Sequence, residues 1–121
     1  MKILLVEDLR ELRDLVERVL KAQGHTVIAV GHSEDALQLA EDPGLQVEFL
    51  VTDWNLPGVS GHALALQLRQ QYPSMKALLM TGEAREALGS LDWLQGWGEY
   101  LAKPFEFSAM LAALARLQKL T

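Results

Sequence analysis

A doubly wound α/β domain, with one parallel sheet covered by helices on both faces, is the fold class this sequence predicts. Three observations carry the prediction. Short runs that are apolar throughout, such as Ile3-Leu4-Leu5-Val6, Phe49-Leu50-Val51 and Ala77-Leu78-Leu79-Met80, alternate with segments whose apolar residues recur at helical spacing. Strands buried on both faces read as continuous apolar runs, the mark of a parallel sheet. The runs also end alike: in Glu7-Asp8, in Asp53, in Thr81-Gly82 and, after Tyr100-Leu101-Ala102, in Lys103-Pro104.

The elements follow in order. Strand residues 3–6 precede a helix in which Leu9, Leu12, Leu15, Val16, Val19 and Leu20 recur between charged residues, with Gly24 as its stop. Residues 25–30 form a second strand, richer in β-branched side chains. Ser33 is the expected N-cap of a short helix over 34–41, closed by Asp42-Pro43-Gly44. A third strand covers 48–52, and a helix over 61–71 carries Leu64, Leu66 and Leu68 until Tyr72-Pro73 ends it. The fourth strand is 76–80. A helix is expected over 84–95, weakened by Gly89 and followed by Gly96 and Gly98. The fifth strand is 99–102, and a final helix over 106–119 shows Phe107, Met110, Leu111, Leu114 and Leu117 on one face. Five strands and five flanking helices joined by right-handed crossovers best fit a flavodoxin-like sheet of order 2-1-3-4-5.

Composition bounds the function. The 121 residues suffice for one domain, taken as 1–121, and half of them are hydrophobic, which argues against disorder. No apolar run approaches the ~20 residues that span a bilayer. Met1 leads almost directly into a strand, without a signal peptide, and cysteine is absent; both point to the cytoplasm. A net charge of −5 disfavours nucleic acid and anionic membranes as partners, and neither a helix-turn-helix nor a basic stripe is present.

The chemistry gathers at the strand ends, where open α/β sheets build their sites. Glu7, Asp8 and Asp53 would crowd negative charge there, an arrangement that calls for a compensating cation. All candidate ligands are hard oxygens, which favours Mg²⁺. A flavin-binding reading of the same architecture fails, because the loop after the first strand, Glu7-Asp8-Leu9, is acidic and lacks the glycine-rich amide cradle a phosphate needs.

Glu7-Asp8, Asp53, Thr81 and Lys103-Pro104, each after its own strand, with Leu56-Pro57 and Gly61 behind Asp53, resemble the marker set of response-regulator receiver domains. These are the phosphoacceptor modules of two-component signalling, and the resemblance covers essentially the whole chain. It implies that Asp53 accepts a phosphoryl group from a histidine kinase or phosphotransfer protein. It implies further that Asp8 and Asp53 ligate Mg²⁺ directly, Glu7 through water and Asn55 through its backbone carbonyl. Lys103 would contact a phosphoryl oxygen, aimed by a cis Lys103–Pro104 peptide, and Thr81 would donate to another. Thr81 and Tyr100 would form the switch, read out on the fourth helix, fifth strand and fifth helix by a downstream protein. Such a module is a phosphoacceptor that assists its own chemistry rather than a conventional enzyme. Asn55 and Glu83 occupy the positions that tune hydrolysis, and the pair resembles that of the chemotaxis single-domain regulator, implying a short-lived phosphoryl state.

Taken singly, each marker has an ordinary structural reading: Glu7-Asp8 as first-turn acids, Asp53 as a turn former, Thr81-Gly82 as a turn, Lys103-Pro104 as a loop, Tyr100 as a packing residue. Five such coincidences in order are required together. A receiver that binds partners without being phosphorylated is the remaining rival, against which no marker is missing. Glu7 keeps, on a longer arm, a carboxylate where many relatives carry aspartate. Trp54, Trp93 and Trp97 read as packing residues, and His25, His32 and His62 receive no role. Gly89, Gly96 and Gly98 favour mobility after the fourth strand, against anchoring by Trp93 and Trp97. A free-standing receiver and one domain of a longer chain are both compatible with these residues.

Overall fold

The computed structural model describes residues 1–120. Five strands, β1 (Lys2–Val6), β2 (Thr26–Val30), β3 (Phe49–Asp53), β4 (Lys76–Thr81) and β5 (Gly98–Ala102), form one sheet of order β2-β1-β3-β4-β5. Every pairing is parallel, with Val6 opposite Thr52, Asp53 opposite Met80, and Thr81 opposite Ala102. That register brings the strand ends to one edge. Four helices cover the faces: α1 (Arg10–Ala22), α2 (Ser33–Leu39), α3 (Gly61–Gln71) and α4 (Phe107–Gln118).

Alternation along the strands builds two cores. Leu4, Val6, Leu50, Ala77 and Leu79 point to the α2 and α3 side, against Leu64, Leu68, Leu94 and Trp97. Ile3, Leu5, Phe49, Val51, Leu78 and Met80 point to the other, against Val16 and Leu20 of α1 and Met110, Leu114 and Leu117 of α4. Each fully buried Leu or Phe contributes about 1.5–3 kcal/mol through removal of apolar surface from water. A sheet apolar on both faces therefore has only its ends for polar chemistry.

Helix ends follow local rules in most places. Gly24, at φ 90°, follows the Gln23 cap of α1 in the left-handed region that glycine tolerates. Ser60 caps α3 by accepting from the Ala63 N–H at 3.1 Å. Tyr72 ends α3 at φ −121° and ψ 81°, outside the helical region that Pro73 disfavours for the residue before it. The Asp42 carboxylate accepts from Gly44 N–H at 2.8 Å and shapes the turn after α2.

Three expectations are corrected. The segment 84–95 is not a helix but two 3₁₀ turns, Arg85–Leu88 and Asp92–Leu94, so the sheet carries four α-helices among the described residues. Gly89 separates them at φ 71°, ψ −154°, far from helical values, and Arg85 Nη1 donates to its carbonyl at 2.8 Å. Ser33 is the first residue of α2 rather than its cap, which is His32; the Ser33 side chain is drawn wholly into the interior. Leu9, Leu15 and Leu66, all counted in apolar helical patterns, are exposed, because α1 turns Val16 and Leu20 inward and α3 turns Leu64 and Leu68 inward. Trp54, Trp93 and Trp97 do pack together. Trp93 lies edge-on to both others at 5.9 and 5.8 Å, and Arg69 sits 4.4 Å over the Trp97 ring.

Candidate functional site

The parallel ladder runs slightly past the strands and sets the site residues in place. Glu7 N–H donates to Val30 at 3.1 Å, Trp54 N–H to Met80 at 2.7 Å, and Lys103 N–H to Thr81 at 2.7 Å. Glu7, Asp8, Asp53, Asn55, Thr81 and Lys103 consequently line one open cavity of about 300 Å³, with Leu9, Met80 and Gly82. Glu7, Asp53 and Thr81 are buried at 1%, 4% and 2% exposure, whereas Asp8 is exposed. One carboxylate oxygen from each of the three acids lies within 4.8 Å of the others.

Lys103 Nζ bonds Asp53 Oδ1 and lies 3.2 Å from Glu7 Oε2, and the Lys103–Pro104 peptide is cis. Glu7 Oε1 accepts from Leu9 N–H at 3.0 Å, which turns the chain into α1. Burial first, then the adjacent Glu7, pushes the Asp53 carboxyl up to about 8, although Lys103 pulls the other way. Burial acts to lower the Lys103 pKa, but its bonds and charge interactions with Asp53 and Glu7 outweigh that, and the net direction is up. One ammonium thus does not neutralise the crowded acids. Three hard carboxylates facing one another with a charge deficit of this kind fit a small divalent cation such as Mg²⁺.

The rim is also ordered. Thr81 Oγ1 accepts from Glu83 N–H at 3.0 Å, leaving its own proton free to donate. Asn55 Nδ2 donates to Glu83 Oε1 at 3.4 Å, so the side chains two residues past Asp53 and Thr81 meet. Gly61 lets α3 start close against the backbone of Asp53 and Trp54: its N–H donates to the Trp54 carbonyl at 2.8 Å, and a Cβ there would lie 1.9 Å from the Asp53 carbonyl oxygen. Tyr100 stands apart from this cavity. It is half-buried on β5, opposite Leu79, and lines a separate depression with Leu91, Leu94, Gln95, Gly98 and Glu99.

Sequence reasoning passed over His62. Its ring stacks on Trp93 at 4.0 Å and 14°, and lies 5.4 Å from Trp54, so α3 and the second 3₁₀ turn are joined beside Asp53. No spacing along the chain relates residues 54, 62 and 93; only the fold does.

A five-stranded parallel sheet of order 2-1-3-4-5 with three acids and a lysine at its carboxyl edge defines a receiver-type module. The family description "Response regulator receiver domain" matches residues 3–115, and the chain belongs to that family. It is 38% identical over 120 residues to the response regulator protein FleR of Pseudomonas aeruginosa, covering 95% of this chain and 24% of that one. It is 36% identical over 121 residues to the response regulator RppA of Synechocystis sp., covering 98% of this chain and 51% of that one. The chain therefore spans about a quarter of the length of the first relative and about half of the second. Among solved structures, the chemotaxis response regulator CheY4 of Vibrio cholerae superposes with a TM-score of 0.81 at 26% identity, covering 96% of this chain and 97% of that one. As a receiver domain of two-component response regulators, the chain is a signalling module. Among its described residues, no helix is long and apolar enough to cross a membrane.

Proposed function

We propose that Asp53 accepts a phosphoryl group from the phosphohistidine of a histidine kinase or phosphotransfer protein. The observation that carries this reading is the buried Asp53 carboxylate, held by Lys103 within a triad of acids at the sheet edge of a receiver fold. An Asp53 carboxylate oxygen forms a bond to phosphorus as the donor's P–N bond breaks. The electron pair of that bond returns to the imidazole nitrogen. Glu7, Asp8, Asp53 and the Asn55 backbone carbonyl would hold Mg²⁺, with Glu7 acting through water. When bound, the ion neutralises charge on the transferring group.

Lys103 supplies the fixed positive charge for a phosphoryl oxygen and releases Asp53 as that oxygen takes its place. The free Thr81 proton turns to another oxygen. Tyr100 then moves into the space behind Thr81, and the surface made of the 3₁₀ turns, β5 and α4 changes for a downstream protein. Asn55 and Glu83, bonded to each other, set the access of hydrolytic water and give the acyl phosphate a short life. Hydrolysis restores Asp53, so the chain works as a switch rather than a conventional enzyme, in the cytoplasm beside its donor.

Intact mass after incubation with acetyl phosphate and Mg²⁺, quenched rapidly, tests the reading beside Asp53→Asn and a chelated control. A phosphoryl adduct that needs both Asp53 and the metal is expected. The absence of both an adduct and a response of Trp54 fluorescence to Mg²⁺ would overturn it in favour of an unphosphorylated interaction module. The short lifetime predicts a longer-lived adduct when Asn55→Ala or Glu83→Ala is compared with the parent chain; an unchanged half-life would refute that part.

A further inference from the structure

Of the three acids at the strand edge, Asp8 is the one with no side-chain hydrogen bond or ion pair among the described residues. Glu7 is held by Leu9 N–H and Lys103, and Asp53 by Lys103. The placement of Asp8 therefore rests on its backbone, and the peptide that joins it to Glu7 is gripped from outside the site. Arg13 Nη1 donates to the Glu7 carbonyl oxygen at 3.0 Å, one turn into α1. The same nitrogen fills a slot over Gly31, where a Cβ would lie 2.7 Å from it and 4.0 Å from the Glu7 carbonyl oxygen. Arg13 makes no ion pair among the described residues, so its guanidinium is committed to this carbonyl.

We propose that Arg13 is a positioning residue for the acid cluster, and that the slot over Gly31 seats its guanidinium so that the Glu7–Asp8 peptide presents Asp8 toward Asp53. The inference rests on the Mg²⁺ reading above and assigns to this arginine the role of an outer support of the metal ligands. Such supports orient ligands without touching the ion, and their loss typically weakens metal binding by on the order of 10-fold or more. The guanidinium acts through geometry, not charge. A positive charge near three carboxylates by itself opposes a cation, so the two roles predict opposite signs.

The test is Mg²⁺ titration followed by Trp54 fluorescence, in the parent chain and in Arg13→Ala, Arg13→Lys, Gly31→Ala and Arg18→Ala. Arg18 is exposed on the same helix and controls for the lost charge. Gly31→Ala displaces the guanidinium while leaving its charge, and its backbone φ lies outside the region reserved for glycine. Arg13→Ala and Gly31→Ala are expected to weaken Mg²⁺ binding about tenfold, Arg13→Lys less, and Arg18→Ala not at all. Phosphorylation by acetyl phosphate in the first two should slow at low Mg²⁺ and recover at saturating Mg²⁺, which a general loss of stability would not produce. If Arg13→Ala fails to fold, Gly31→Ala and Arg13→Lys read the same quantity. A parent chain that binds Mg²⁺ with Arg13→Ala and Gly31→Ala binding it equally or more tightly overturns this inference alone. A parent chain that binds no Mg²⁺ overturns the functional reading with it.

Discussion

Replacing Asp53 by asparagine is expected to stabilise the chain when divalent metal is chelated, although it removes an ion pair. Burial and then Glu7 lift the Asp53 carboxyl from 3.8 to about 8. A carboxyl raised in this way binds its proton more tightly in the folded state than in the unfolded one. Stability is then undiminished below the ordinary value and falls as pH rises toward the folded value. The slope is at most ~1.4 kcal/mol per pH unit, which accumulates to about 4 kcal/mol by pH 7. That value already includes the opposing pull of Lys103, and asparagine removes the penalty while its amide oxygen can still accept from Lys103 Nζ. The expected gain is therefore up to about 4 kcal/mol at neutral pH, and it vanishes near the ordinary value, at pH ~4. Urea denaturation in EDTA across that range measures it. Mg²⁺ should offset most of that gain, since a ligand at 100 times its Kd adds about 2.7 kcal/mol to the chain that binds it. An asparagine variant less stable than the parent at neutral pH in EDTA, or a difference that does not grow with pH, would refute the account of the acid cluster.

Other perturbations probe the scaffold. Gly61→Ala should cost about 3 kcal/mol or more, because its Cβ would collide with backbone, the Asp53 carbonyl at 1.9 Å, and not with a yielding side chain; an unchanged urea midpoint would contradict the close approach. Trp93→Ala should lower stability by about 2 kcal/mol, less than the ~3–5 of a fully buried tryptophan, and should change the Trp54 emission. An unaltered emission would mean the rings do not touch in solution. His25 is held below its ordinary pKa of 6.5 by burial and then by the Met1 ammonium, whose nitrogen lies 3.2 Å from Nδ1. A base lowered in this way contributes stability above its ordinary pKa and loses it as pH falls through the folded value. His25→Gln should therefore flatten the loss of stability on the acid side; identical pH profiles for parent and variant would remove that contribution.

Sheet and site were legible to different depths. The strand ends could be read because an apolar run leaves few places for Glu7, Asp53 or Lys103 except the point where the chain leaves the core. Periodicity failed over 84–95, since Ala84, Leu88, Leu91 and Leu94 satisfy a helical spacing while one backbone angle pair at Gly89 breaks it. It failed also for Leu9, Leu15 and Leu66, because spacing marks a stripe but does not say how much of that stripe a neighbouring element covers.

What the sequence determined by itself was local and one-dimensional: which runs are buried on both faces, where they stop, and which ionisable groups stand at those stops. The family resemblance of its motifs follows from the same order of residues. Tertiary structure alone decided which of those groups meet. Lys103 reaches Asp53 across 50 residues and Glu7 across 96, because the parallel register draws strand ends from the whole chain to one edge. The raised Asp53 carboxyl, the Arg13 grip over Gly31 and the stacking of His62 on Trp93 are likewise properties of short distances between remote residues. Charge interaction and steric contact depend on those distances in space, and only the folded chain supplies them.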